Sequence, residues 1–275
     1  MWTRFLQILY NVNFFYEVLV KNFVTFSLCF FFMVSTLCAE REIKVLVLVI
    51  ASDDQPVYIE FQKVWRAYMH LDPRHVEAYF IRSDPELRAP YEIQGDVIWC
   101  KGKECLEPGI LQKTVFSLEC LAERLDEFDY VLRTNLSSFY VFPVLLEFLE
   151  TLPRNQCYAA VPYLCELRLY FGSGAGFIMS TDTAKILIKK KKELLRMQQP
   201  DDVAIGLLFF RHGIPLLPTP RMELLNLKSW EEQRGQLSPD QFHFRVKNSD
   251  QDKRYTEDVI IQKELLQKYY NITLR

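Results

Sequence analysis

The pattern of apolar and polar positions divides the chain after residue 41 into alternating strands and helices. The segment Glu42–Ala51 ends in an unbroken apolar run that is rich in β-branched residues, as expected for a central parallel strand covered on both faces. Further strands are predicted at 76–81, 95–99 and 128–132, and helices at 57–69, 109–124 and 144–152. Strands and helices that alternate at these lengths predict an α/β domain with an open, mostly parallel mixed sheet flanked by helices.

The pattern is less regular in the second half of the chain. A glycine-rich segment, 171–180, leads into a short strand, and a helix with a basic face at Lys189–Lys192 is predicted over 181–197. The remaining features are a helix that begins at 200–206, a proline-rich loop at 215–220, a polar stretch at 230–252 and a final helix at 256–270.

The N-terminal segment differs from the rest of the chain. Residues 23–39 are nearly all apolar, and no charged residue lies between Lys21 and Glu40. This run is short for a spanning helix, long for a signal-peptide core, and without the period of a buried core helix. We predict that residues 1–40 are a membrane anchor, of Golgi or bacterial inner-membrane type, or a cleaved export signal. Residues 41–275 are then the folded domain, across the membrane from the positive flank.

Composition narrows the classes of function. With 49% hydrophobic residues the chain is globular, and a net charge of −2 provides no general attraction to nucleic acid, so any anion site must be a local basic cluster. No cysteines and histidines have the spacing of a zinc site. If the domain is exported, one or two disulfides are expected among its five cysteines, and their spacing leaves the pairing open.

Three places along the chain are candidates for chemistry. Open parallel sheets bind ligands beyond the carboxyl ends of their strands, which points to Ala51–Asp54 and to Arg133–Phe139. The third place is the pair Asp201 and Asp202 at the head of a helix. Unpaired N–H groups favour carboxylates there, so capping explains the pair; the alternative is that one carboxylate faces a cleft as a general base.

The glycines at 172, 174 and 176 do not form a dinucleotide fingerprint. They neither follow a first strand nor open a long helix, which disfavours a Rossmann-type oxidoreductase. We interpret Gly172, Ser173 and Gly174 instead as small residues that let the backbone approach a sugar or an acceptor.

An ordered set of segments resembles one enzyme family. Tyr130–Phe139, Phe171–Ser180 and Pro200–Gly206 are similar, in this order, to segments of the β-1,3-galactosyltransferase/fringe family, glycosyltransferase family 31. The first strand with Phe61–Trp65, and Leu111–Thr114, also look like elements of that family. The resemblance is loose and covers roughly Lys44 to Pro218.

This resemblance implies a GT-A fold and an inverting transfer of a sugar from a nucleotide-sugar, most simply a UDP-sugar, to a hydroxyl of a glycan or glycoconjugate. Asp202 matches the catalytic base of the family, with Asp201 as its neighbour. The nucleotide would lie against Ala51, Ser52 and Asp53. A carboxylate that takes up the acceptor proton is what an alcohol nucleophile requires.

The chain departs from the family at the metal site. The Asp-x-Asp motif that would bind Mn²⁺ falls on Asn135 and Ser137, and neutral side chains hold a divalent cation weakly. Either basic groups neutralise the diphosphate, or the domain is an inactive GT-A-like module that binds a sugar or a partner. Asn135 and Asn271 each begin a glycosylation sequon, and the second is the better acceptor.

Basic residues near the C-terminus are the candidates for that neutralisation. His243, Arg245 and Lys247 alternate, which places three donors on one face of an extended segment, with Arg254 nearby. Arg133, beside Asn135, is a further candidate for the diphosphate, and His243 is the one candidate metal ligand. The alternative is an ordinary polar strand exposed to solvent.

Overall fold

The computed structural model describes residues 42–165 and 168–274. Within these ranges the strands are β1 Val45–Ile50, β2 Val76–Asp84, β3 Tyr91–Gln94, β4 Val97–Lys101, β5 Tyr130–Asn135, β6 Ser138–Tyr140, β7 Tyr158–Leu164, β8 Tyr170–Ser180, β9 Leu216–Pro218, β10 Met222–Leu224 and β11 His243–Val246. The α-helices are α1 Pro56–Tyr68, α2 Gly109–Cys120, α3 Phe142–Glu150, α4 Thr181–Lys189, α5 Lys191–Leu194, α6 Asp201–Arg211, α7 Leu227–Gln233 and α8 Val259–Tyr270.

The described strands form two sheets. The larger has eight strands in the order β3-β4-β2-β1-β5-β8-β7-β9, and its centre, β4-β2-β1-β5, is parallel throughout. Strand β8 runs antiparallel to both β5 and β7. The smaller sheet has the order β10-β11-β6 and lies beyond the carboxyl end of β5, because β6 follows β5 after a two-residue turn. The predicted α/β domain with a mostly parallel, Rossmann-like mixed sheet flanked by helices is confirmed.

Strand β1 is covered on both faces, as its continuous apolar sequence predicts. Val45, Val47 and Val49 enter one core with side chains of α1, α3 and α8, whereas Leu46 and Leu48 enter a second core with side chains of α2, α4 and α6. All five side chains are fully buried. Full burial of a Val or Leu side chain stabilises the folded state by about 1.5–3 kcal/mol. This two-sided core fixes the position of the strand end at Ala51.

Several predicted elements differ from the observed ones. The helix predicted over 109–124 ends at Cys120 and continues as a 3₁₀ turn, Ala122–Glu127, and the one predicted over 181–197 breaks at Lys190. Strand β9 lies inside the predicted proline loop, and α7 begins before the polar stretch 230–252 and extends into it, whereas β11 forms where the alternating basic residues predicted an extended segment. Tertiary pairing forms these short elements, since β9 is completed by β7 and β11 by β6 and β10.

The N-terminal prediction lies outside the described residues. Over 42–165 and 168–274, no helix has the length and apolar character needed to cross a bilayer. The five cysteines of the domain, all within 42–165, are free thiols, so the disulfides expected for an exported domain are not formed there.

Candidate functional site

A cleft of about 360 Å³ opens at the carboxyl ends of β1 and β5. These two strands are paired with Ile50 opposite Asn135, so the turns that follow them face each other across the opening. The side chains that line the cleft come from these turns, from α1, from the loop before α2, from α2 itself and from β11: Ile50, Ala51, Ser52, Asp54, Tyr58, Glu104, Cys105, Leu106, Ile110, Asn135, Leu136, Ser137, Arg245 and Lys247.

One wall of the cleft carries two cations from the end of β11. Phe244 and Val246 point into the core, while Arg245 and Lys247 lie on the other face, in the alternation that the sequence predicts. The Nε atom of Arg245 is buried and has no hydrogen-bond partner within the described part of the chain. Burial lowers the pKa of Lys247, and the charges of Arg245 and Arg254 lower it further. The wall is therefore a region of positive potential.

His243 begins the same face of β11 but does not reach the cleft. Its ring is 2% exposed, stacks on Tyr140 with centroids 4.3 Å apart, and places Nε2 3.2 Å from the Ser138 hydroxyl. Burial, reinforced by Arg221 and Arg245, lowers the pKa of His243 well below its ordinary value. His243 is a neutral packing residue here, and the predicted phosphate or metal contact does not correspond to its position.

The turn after β5 has its polar atoms engaged within the protein. The Asn135 side chain accepts from the Ser137 N–H at 3.1 Å and donates to the Gly174 carbonyl at 3.2 Å. The Ser137 hydroxyl accepts from Arg254 Nη2 at 2.9 Å, and Arg254 Nε donates to Asp258 at 3.0 Å. Arg254 is 3% exposed and does not line the cleft; it stabilises the turn through its bond to Ser137.

These residues do not fit a divalent metal. Two carboxylates line the cleft, but Glu104 is paired with Lys113 and Asp54 accepts from the Ser52 hydroxyl. Over residues 42–165 and 168–274, no group of three or more His, Cys, Asp or Glu side chains is arranged to hold a metal ion. One exposed carboxylate beside neutral groups is a poor donor set for Mn²⁺ or Mg²⁺.

The residues of the turn after β1 do not all line the cleft. Ala51 and Ser52 line the cleft, but Asp53 does not. The Asp53 carboxylate pairs with Arg82 and accepts from Gln62 at 2.9 Å. Although its partial burial raises the pKa of Asp53, the bonds from Gln62 and Arg82 outweigh this and lower it. Asp53 is thus a structural anchor of the turn, and its predicted contact with the nucleotide does not match this placement.

Sequence reasoning did not identify Lys113 as important to the cleft. Its fully buried ammonium donates to the Ala51 carbonyl at 3.1 Å and to Glu104 at 2.5 Å. Burial lowers the pKa of Lys113, and Glu104 opposes the effect. This one side chain ties the end of β1 to the loop that forms the opposite wall. The signal available in the sequence was a lysine on the apolar face of a helix.

The two carboxylates at the head of α6 have different environments. Asp201 is buried and forms an ion pair with Arg133, whose Nη1 also donates to the Gly174 carbonyl at 2.5 Å. Burial raises the pKa of Asp201 despite the opposing charge of Arg133. Arg133 is 1% exposed and lies over the Phe177 ring at 5.1 Å, so it does not reach the cleft as a diphosphate ligand. Asp201 is equally unable to meet a substrate.

Asp202 is partly exposed and is held by backbone donors. One oxygen accepts from the Gly174 N–H at 2.9 Å and the other from the Val203 N–H at 2.9 Å. Asp202 does not line the cleft directly; it adjoins the wall through Gly174, whose carbonyl accepts from Asn135. The local bond to Val203 also satisfies a donor of the first helical turn, so capping accounts for part of its role.

The glycines of β8 are required by close packing against protein atoms. A Cβ on Gly174 would lie 2.8 Å from Asp202 Oδ2, one on Gly172 2.7 Å from the Tyr158 hydroxyl, and one on Gly176 2.0 Å from the Tyr140 hydroxyl. The Ser173 hydroxyl is buried and accepts from Arg221 at 2.7 Å. Protein groups therefore occupy the space that the sequence assigned to a sugar at 172 and 173, and Gly174 contacts the carboxylate instead.

The chain matches no protein-family model and no curated protein. Its backbone is similar to the crystal structure of a glycosyltransferase involved in the glycosylation of the major capsid of PBCV-1, with a TM-score of 0.49 and 12% identity over 80% of this chain and 98% of that chain. It is also similar to 4-diphosphocytidyl-2C-methyl-D-erythritol synthase from Anaerococcus prevotii DSM 20548, with a TM-score of 0.44 and 11% identity over 82% of this chain and 96% of that chain. At identities and TM-scores this low, the function of neither protein can be assigned to this chain.

Proposed function

We propose that the domain is an inverting glycosyltransferase that moves a sugar from a nucleotide-sugar, of the UDP-sugar class, to a hydroxyl of a glycan or glycoconjugate. The observation that supports this proposal is a pair of hydrogen bonds through Gly174. Its carbonyl accepts from Asn135 in the cleft wall, and its N–H donates to the partly exposed carboxylate of Asp202. A base next to an anion-binding cleft is the combination that this reaction requires.

Each part of the proposed site has one task. The nucleoside lies against Ala51, Ser52 and Asp54, and the diphosphate lies against Arg245 and Lys247. The acceptor hydroxyl approaches Asp202, which takes up its proton as the new bond to the sugar carbon forms. The bond between that carbon and the phosphate oxygen breaks at the same time, and its electron pair leaves with the nucleoside diphosphate. Cationic side chains stabilise the charge that develops on this leaving group.

The competing proposal is an inactive GT-A-like domain that binds a sugar or a partner. The neutral Asn135 and Ser137 at the expected metal position favour it. The second bond of Asp202, from the Gly174 N–H next to the cleft wall, favours the enzyme, because capping of its own helix requires only the bond from Val203.

Measurements of turnover and of UDP binding distinguish the glycosyltransferase from the inactive binding domain. Purified full-length protein is incubated with a panel of UDP-sugars, and release of UDP is measured beside the shift of the melting temperature by UDP. An enzyme releases UDP from at least one donor, slowly with water and faster with an acceptor. Protection by UDP without any release supports the inactive domain. Absence of both, for every donor, rejects a nucleotide-sugar site.

Membrane attachment through residues 1–40 is a separate part of the proposal and rests on their apolar sequence. Fractionation of the full chain and of a version that begins at residue 41 tests it. The full chain should be found with membranes or exported, and the shorter chain should be neither.

A further inference from the structure

The positive charges around the cleft are only partly balanced. Arg254 is paired with Asp258 at 3.0 Å, and Arg221 is paired with Glu223. Arg245 shares that same Glu223 at 4.0 Å, the limit of an ion pair.

Lys247, the neighbour of Arg245 on the same face, lies at the exposed end of the wall. The Glu223 carboxylate is thus divided between Arg221 and Arg245, and no ion pair of Lys247 is found within the described part of the chain. Even with the Asp54 carboxylate in the lining, the two cations leave a net positive charge that favours the negatively charged diphosphate of a nucleotide-sugar.

A buried cation lies beside the residues on which the sequence resemblance places a metal-binding motif. The guanidinium of Arg254 donates to the Ser137 hydroxyl at 2.9 Å. The Asn135 side chain donates to the Gly174 carbonyl and accepts from the Ser137 N–H, so its amide is already hydrogen-bonded to the backbone. A divalent cation on Ser137 would lie next to a buried guanidinium, and their repulsion in this weakly polar environment would oppose binding. Arg254 is therefore a positioning residue that also disfavours a metal.

On these grounds we infer that the cleft binds the diphosphate of its donor without a divalent cation, with Arg245 and Lys247 in place of the metal. This inference rests on the proposed function. A guanidinium can donate two parallel hydrogen bonds to phosphate oxygens, and an ammonium adds a mobile point charge. Within the described part of the chain, the partly exposed Arg245 side chain lines the cleft and its one ion pair is the 4.0 Å contact with Glu223, so its guanidinium is available to a phosphate.

Binding of UDP and of inorganic pyrophosphate to the purified full chain tests the inference by calorimetry, once in EDTA and once in Mn²⁺. Both ligands should bind in EDTA at least as tightly as in Mn²⁺, because Mn²⁺ complexes these phosphates in solution and reduces the negative charge that Arg245 and Lys247 would meet. Lys247→Ala should weaken binding about tenfold, the effect of one hydrogen bond to a charged group, and Arg245→Ala at least as much. Lys228→Ala, a control on an 83%-exposed lysine, should bind like the parent.

Salt dependence provides a second measurement. Phosphate held by basic side chains loses affinity as ionic strength rises, and Lys247→Ala should reduce the slope of that loss. Because Lys247 is exposed, its substitution does not threaten folding.

Three results would overturn the inference, and they can be told apart. Binding of UDP in Mn²⁺ but not in EDTA removes the metal-free site and leaves the proposed function intact. Binding in EDTA that neither Arg245→Ala nor Lys247→Ala weakens rejects these residues as the phosphate ligands. No binding of UDP or pyrophosphate under either condition rejects the inference together with the proposed function.

Discussion

The Asp202 carboxylate accepts a hydrogen bond from the N–H of Gly174 at 2.9 Å, and the carbonyl of the same glycine accepts from Asn135 and from Arg133. A residue without a side chain thus connects the proposed base, the buried ion pair and the wall of the cleft.

The first prediction concerns Gly174→Ala. The added Cβ would meet Asp202 Oδ2 at 2.8 Å and force that carboxylate to move, which a short side chain can do at little cost in folding free energy. We expect turnover to fall by about 10²-fold, the scale on which misplacement of a catalytic group acts, while the melting temperature changes little. UDP-release rates and thermal unfolding measure the two effects.

Gly235→Ala is the matched control for this substitution, because a Cβ there would have no atom within 4 Å. If Gly174→Ala retained normal turnover, the bond between Gly174 and Asp202 would have no part in placing the base.

The second prediction concerns Asp202→Asn, which removes the base but keeps the shape of the side chain. Loss of general base catalysis typically costs about 10²–10⁴ in rate, so kcat should fall on that scale. The dissociation constant of UDP should stay within about twofold, because Asp202 lies outside the cleft that would hold the nucleotide. Steady-state kinetics and calorimetry measure the pair of values.

Asp240→Asn, on an exposed loop, is the control for loss of one negative charge. Unchanged kcat in Asp202→Asn would remove Asp202 from the mechanism.

The third prediction separates Asp201 from Asp202. Asp201→Ala leaves Arg133, which is 1% exposed, as a buried charge without its carboxylate, and loss of one partner of such a pair costs about 3–5 kcal/mol. Urea unfolding should show this decrease in the free energy of unfolding. The double variant Arg133→Met with Asp201→Ala removes both charges and should recover most of it. A loss below about 1 kcal/mol, the scale of surface ion pairs, would contradict the buried pair.

The fourth prediction is a dependence of stability on pH that comes from His243. Burial keeps its pKa in the folded protein well below 6.5, whereas the unfolded chain takes up a proton near that value. Stability from the neutral ring is therefore present above about pH 6.5 and is lost as the pH falls toward the folded pKa. Between about pH 7.5 and about pH 5.5, this contribution should fall by about 1 kcal/mol.

His243→Gln cannot titrate and should lack this part of the loss when unfolding free energies are compared at the two pH values. The exposed His212 provides the control, since His212→Gln should keep the pH dependence of the parent. Equal pH dependence in His243→Gln and the parent would show that His243 is not buried in neutral form.

Local patterns predicted the framework well where an element forms its own core contacts. The unbroken run of β1 and the helical spacing of α1 predicted a two-sided sheet, because side-chain alternation in a strand and the period of a helix are properties of a few consecutive residues. The strands β7, β9 and β10 were not predicted. The short strands β9 and β10 pair with β7 and β11, which are distant in sequence, with Tyr158 opposite Leu216 and Met222 opposite Phe244, and such pairing outweighs weak local propensity.

The sequence by itself determined the layered sheet, the edge at which a ligand cleft opens and the alternation of basic residues along β11. Only the tertiary structure decided which charged groups serve that cleft. Arg133 turns inward because Asp201, 68 positions away, neutralises it, while Arg254 reaches Ser137 across 117 positions. A charged side chain lies where its desolvation is compensated, and the compensating partner is chosen by the fold and not by neighbours in the chain.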